Sequence, residues 1–157
     1  NAVVRQKSGN RVMAFEDTIE MVKHTRRRDD REVDAIKTFL YLAPNVMYMK
    51  EFAEGMHAGV YKFVSREWER TYNLKRDEVI GKTDYDFFPR PVADKRRLDE
   101  LHTLEFGRMV TMVDLHGTRY NNFAPTRMAL IPIKVLGEEK FSYLAGMALA
   151  PLSDWRE

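Results

Sequence analysis

Apolar residues return in alternating steps of three and four from Val12 to Leu40. The series runs Val12, Phe15, Ile19, Val22, Arg26, Asp29, Val33, Ile36 and Leu40. This is the a/d spacing of a heptad, and it predicts an amphipathic helix over residues 11–43. Its middle, Thr25 to Glu32, is charged and places Arg26 and Asp29 in the seam. On one reading the helix packs on its own domain and the charged middle is solvated. On the other, two copies pair along Phe15, Ile19, Val22, Val33, Ile36 and Leu40, with Arg26 meeting Asp29 across the dimer. The dimer reading is preferred, because charged seam positions lower stability while sharpening the choice of register. Acids interleave with the arginines, which argues against a nucleic-acid patch. Residues 1–10 are polar and read as a frayed tail or a cloning remnant.

Pro44-Asn45 ends the helix, and the period changes from there. Val46–Lys50 reads as a strand, and Glu51–Gly59 as a connecting loop. Val60–Val64 alternates as a second strand, with Val60, Lys62 and Val64 on one face and Tyr61 and Phe63 on the other. Ser65 is a helix N-cap, with Glu67 in the first turn, and that helix ends near Asn73. Asp77–Ile80 forms a further turn closed by Gly81. Thr83 with Asp86 matches the S/T-x-x-D/E cap, so Asp84–Phe88 forms another. A long helix runs from Pro91 to Phe106 and stops at Gly107. Leu98, Leu101 and Leu104 share its apolar face, while Lys95, Arg96, Arg97, Asp99 and Glu100 lie mostly outside.

After Gly107 the pattern is that of strands. Met109–Leu115 alternates into a turn at His116-Gly117. Arg119–Phe123 starts a strand, with a break or bulge at Pro125. Arg127–Val135 is longer and interrupted by Pro132. Leu136–Glu139 is a turn, and Phe141–Leu149 the last strand. Pro151 stops it, and residues 151–157 begin a linker. Two strands, a helical block and further strands indicate an α+β fold with an antiparallel sheet.

Composition narrows the classes. The 157 residues suit one domain plus an appended element. An apolar fraction of 44% with 11% aromatics excludes a disordered chain. Twenty-six basic and 24 acidic residues leave a net charge of +2, with no general pull on nucleic acid. There is no cysteine, hence no disulfide, thiolate zinc site or cysteine nucleophile. No apolar run approaches the roughly 18–20 residues of a membrane span. A cytoplasmic location is expected. The chain opens on Asn1-Ala2 without methionine, as a piece of a longer protein would.

Three segments carry a family likeness. FVSREWERTYNLKRDEVIGKTDYDFFP (Phe63 to Pro89) has an aromatic-Val strand, a helix, a glycine and a D-x-F-P turn. IPIKVLG (Ile131 to Gly137) is a proline-containing strand with a turn glycine, and FSYLAGMAL (Phe141 to Leu149) a last strand with an internal glycine. In this order they resemble the PAS family of sensory domains, over residues 44–150. Ser65 stands where many members carry Asn. Ala150-Pro151-Leu152 replaces a common Asp-Ile-Thr, which questions the usual coupling to a following kinase or cyclase.

The resemblance implies a PAS fold: a five-stranded antiparallel sheet flanked by short helices and one long helix, preceded here by the amphipathic helix. It implies a sensory domain of a bacterial signalling protein, of the two-component kind or similar, homodimeric, and with its output domain elsewhere in the full-length chain. A small molecule would sit between sheet and helices, lined by Phe63, Tyr72, Tyr85, Phe88, Leu101, His102, Met112, Tyr120, Asn122, Met128, Ile131 and Tyr143. For each aromatic or methionine, ordinary core is the plainer role. Asn122 and Tyr120 stand out, because a small domain rarely buries an amide without a partner. The alternative is a dimerisation module whose cavity is filled by its own side chains.

Cofactor and catalytic signals are sparse. Without cysteine, the flavin adduct of the photochemical members is excluded. Some members ligate haem from the long helix, where His102 lies, although a solvated histidine at the helix flank is the plainer reading. The cofactor therefore stays unknown. His24, His57, His102 and His116 are scattered, with no HExxH spacing for a metal. Asp84 and Asp86 read as caps, and Asp99 and Glu100 as an exposed helix face. No nucleophile elbow or Walker loop is present, so an enzyme is not expected.

Overall fold

The computed structural model describes residues 15–114 and 126–151, with the side chains of 15–28, 150 and 151 outside that description. Helix α1 spans Phe15–Leu42. Its residues up to Thr38 fall in one compact unit, and Phe39 opens the second. In the second unit follow β1 (Met47–Glu51), β2 (Val60–Val64), α2 (Arg66–Tyr72), α3 (Arg76–Val79), a 3-10 turn (Asp84–Asp86), α4 (Arg90–Phe106), β3 (Val110–Asp114), β4 (Thr126–Ile133) and β5 (Tyr143–Pro151). The five strands form one antiparallel sheet in the order β2-β1-β5-β4-β3.

Local chemistry explains the element boundaries. Ser65 Oγ accepts from the Trp68 N–H at 3.1 Å and caps α2 as the sequence indicated. The same hydroxyl accepts from the Met47 N–H at 3.0 Å and donates to the Asn45 carbonyl at 2.8 Å. It therefore ties the start of β1 to the start of α2. The Thr83 N–H donates to Asp86 at 2.9 Å, the anticipated cap. Gly107 ends α4 at φ 71°, a conformation glycine adopts without strain.

Register decides what faces the helices. Tyr48 pairs with Val64, Met49 with Phe63, and Lys50 with Tyr61, so Lys62 is a bulge. The bulge turns both Tyr61 and Val64 onto the face of Tyr48 and Lys50. This corrects the simple alternation, which had separated Tyr61 from Val64. Trp68 then packs on that face with Tyr61, Val64 and Val79, all buried. Gly146, opposite Tyr48, leaves the space that the Tyr48 ring occupies, since a Cβ there would collide with it.

Two further expectations are corrected. Pro132 does not interrupt β4, which runs through it opposite Leu144. Pairing with β3 ends at Leu130, so Pro132 lies where β4 has one neighbouring strand, and a missing N–H is tolerated there. The buried residues of α4 are Ala93, Glu100 and Thr103, and Leu98 is 51% exposed. The helix is thus rotated so that Ala93, Arg96, Glu100 and Thr103 face inward, and the leucine face is not its core face. The strand start predicted at Arg119–Phe123 lies outside the described residues.

Candidate functional site

The sheet face bearing Tyr48, Lys50 and Tyr61 continues across Leu144 and Gly146 to Leu130, then to Val110 and Met112 on β3. Helix α4 lies against this face at β4. Two sites result, a buried ionic network at one end and an open cleft at the other.

The cleft has a volume of about 340 Å³. Asp99, His102, Thr103 and Phe106 of α4 form one wall, and Val110, Met112 and Leu130 of the sheet form the other. Its floor is apolar and its polar groups lie along one helix edge, the usual composition of a small-molecule site. Thr103 is buried, and its hydroxyl donates to the Asp99 carbonyl at 2.8 Å. The Asp99 carboxylate holds Lys95 at 2.6 Å. His102 is exposed at the rim.

The network centres on Lys50, only 1% exposed. Its ammonium contacts Asp84 Oδ2 and Glu100 Oε1, each at 2.6 Å. Tyr61 donates to the other oxygen of Asp84. Tyr48 donates to Glu100 Oε1 at 3.3 Å. Arg96 approaches Asp84 at 3.9 Å and Asp114 at 3.1 Å, and its guanidinium lies 4.2 Å from the centre of the Phe88 ring. Burial pulls the Lys50 ammonium down, but the charges of Asp84 and Glu100 outweigh it and hold the group above its ordinary range. Burial likewise opposes ionisation of Asp84, yet Lys50 and Arg96 bring it below the usual carboxylate range. Glu100 goes the other way: burial, reinforced by the Asp84 charge, raises it against the pull of Lys50.

The anticipated site residues are dispersed. His102 and Met112 line the cleft. Met128 is buried opposite Met112 on the same face. Leu101 is half-buried on α4 and is not part of the cleft wall. Tyr72 and Phe88 meet edge to face at 5.4 Å, with Arg96 within reach of both rings. Tyr85 donates to Asp94 at 2.6 Å. Phe63, Ile131 and Tyr143 belong to the opposite face of the sheet, in the rows of Met49 and Glu51. Tyr120 and Asn122 lie outside the described residues.

Lys50, Asp84, Arg96 and Glu100 were not anticipated as a group. Asp84 is buried and more than a neighbour of a cap, and Glu100 is 2% exposed and not on an outer face. One signal for this was present: Ala93 and Thr103 flank Arg96 and Glu100 at helical spacing, and small residues suit a face pressed on a sheet. Among the described residues no group of three or more His, Cys, Asp or Glu could hold a metal ion. Among them, too, no helix is long and apolar enough to cross a membrane.

No family model matches the chain, and no curated protein does. Solved structures do match. The PAS domain of an HTR-like protein from Haloarcula marismortui is 12% identical, with a TM-score of 0.58, over 81% of this chain and 98% of that one. VqmA in a ligand–DNA complex, from Vibrio cholerae, is 17% identical, with a TM-score of 0.61, over 78% of this chain and 51% of that one. VqmA bound to DPO is 19% identical, with a TM-score of 0.59, over 74% and 56%. The chain therefore spans about half the length of VqmA and nearly all of the archaeal domain.

Proposed function

The chain has the PAS fold, and from that premise we propose that it is a non-catalytic sensory domain of a larger signalling protein, binding a small molecule in the cleft between α4 and the β3–β4 edge. The observation that carries this reading is the cleft itself, apolar on the sheet side and at Phe106, with Asp99, His102 and Thr103 along α4. The signal would pass to α1 and change how two copies pair. Val33 and Ile36, both in the predicted seam, are 48% and 58% exposed on this chain, as a surface awaiting a second copy would be. The last turn of α1 has a physical link to the domain. Arg76 at the start of α3 lies over the Tyr41 ring at 5.4 Å, and its N–H donates to Glu69 of α2 at 2.9 Å. A ligand shifts such an equilibrium only by its different affinity for the two arrangements.

A second reading, a ligand-free dimerisation module, is favoured by the other end of the interlayer space. There Tyr61, Trp68 and the Lys50 network fill the interior with the chain's own side chains. Native mass spectrometry of the full chain beside Met112→Trp separates the two. Under the sensory reading, a small-molecule mass rides on each wild-type subunit and is absent from the variant, whose indole fills the cleft. Bare subunits in both would support the module instead.

A further inference from the structure

One ammonium, that of Lys50, serves two buried carboxylates. They are not equally supplied. Asp84 also receives the Tyr61 hydroxyl and stands near Arg96. Among the described residues, Glu100 has Lys50 and the long Tyr48 contact as its hydrogen-bond partners, and both fall on the same oxygen, Oε1. A buried carboxylate whose hydrogen bonds are this few is the group in such a network that accepts a proton most readily. The neighbours come from every layer around it: Tyr48 and Lys50 on β1, Tyr61 on β2, Tyr72 on α2, Asp84 on the 3-10 turn, Arg96 on α4 itself and Asp114 on β3.

We propose that this network makes the domain a proton sensor, with Glu100 as the single group that takes up and releases the proton. With Glu100 protonated, Lys50 and Asp84 form a balanced pair, and the side-chain contacts that join α4 to β1 at Glu100 hold no uncompensated buried charge. With Glu100 ionised, two carboxylates compete for one ammonium, and the seating of α4 on the sheet face loosens. Glu100 and Thr103 lie three residues apart on the inward face of α4, so this loosening reaches the wall of the cleft. The proton is a signal separate from any molecule in the cleft, and the proposal stands whether or not the cleft is occupied.

The sign of the linkage follows from the direction already given for Glu100. A carboxyl raised in the folded state above its ordinary value, 4.5, contributes stability that is complete below that value. This stability is lost as pH rises through the folded value. Denaturant melts of the full chain and of Glu100→Gln, from about pH 5 to about pH 8, test this. The folding constant of the wild type should fall relative to the variant as pH rises, by up to about tenfold per pH unit within the titration. Groups other than residue 100 are common to the two proteins and cancel in the comparison. Amide exchange along α4, corrected for its intrinsic pH dependence, should slow on acidification in the wild type and stay constant in Glu100→Gln. Parallel pH dependence of the two proteins would overturn the proposal. If the variant does not fold, the carboxyl carbon resonance of Glu100 in the wild type decides. A titration above pH 4.5 is expected, and a resonance that stays in its ionised position down to that pH overturns it.

Discussion

Lys50→Met should lower folding stability by about 3–5 kcal/mol, the cost of leaving a buried charge without its partner. The substitution keeps the length and apolar stem of the side chain, so lost packing contributes little. Among the described residues, what it removes is the one cation within 3 Å of both Asp84 and Glu100, which are 4% and 2% exposed. Arg96 stands 3.9 Å from Asp84 and is engaged more closely by Asp114, at 3.1 Å. In a chain of this size the loss corresponds to a drop of about 6–20 °C in Tm. Acidification should restore part of it, because protonating the orphaned carboxylates removes the uncompensated charge. Replacing Lys50, Asp84 and Glu100 together by apolar residues of similar volume should cost far less, since no charge is then stranded. Urea melts of the single and triple variants give both numbers. A single variant within about 1 kcal/mol of wild type would show that the network is more hydrated than its burial indicates.

Trp68→Ala should destabilise by a similar amount, about 3–5 kcal/mol, for a different reason. Trp68 is the buried residue of α2 and is 1% exposed. Its ring meets Tyr61 at 5.4 Å and Tyr72 at 4.6 Å, and Tyr72 meets Phe88 at 5.4 Å. Truncation leaves a cavity in the middle of this aromatic row, between sheet and helices. It also frees α2, which bears the Glu69 that holds Arg76. Equilibrium unfolding measures the loss, and amide exchange in α2 and α3 should rise more than in β4 or β5. Uniform exchange throughout would place the row outside the connection between core and α1.

What could be read from the sequence was what depends on neighbours along the chain. The Ser65 cap, the Thr83–Asp86 cap and the Gly107 stop each involve atoms within four residues of one another. The family likeness supplied the five-stranded antiparallel sheet. The interior was harder to read, because its determinants are distant in sequence. Lys50 reaches partners 34 and 50 residues away, and nothing local marks a lysine in a strand for burial. A single bulged residue, Lys62, reassigned Tyr61 and Val64 to one face. The same two-residue period puts Phe63, Ile131 and Tyr143 on the side of the sheet away from the cleft. On α4 the leucines outweighed Ala93 and Thr103 as a guide to the inner face. Close packing against the sheet favoured the smaller residues.

Under the proposed function, the state of the cleft sets the pairing of α1. The chain has no cysteine, so Lys37→Cys on the exposed part of α1 provides a single labelling site. Spin labels there report the distance between two copies in solution. The distribution should show a defined interchain distance in the protein with its native cleft, and it should shift when Met112→Trp fills the cleft. Identical distributions in the two proteins, or no interchain distance in either, would contradict the account.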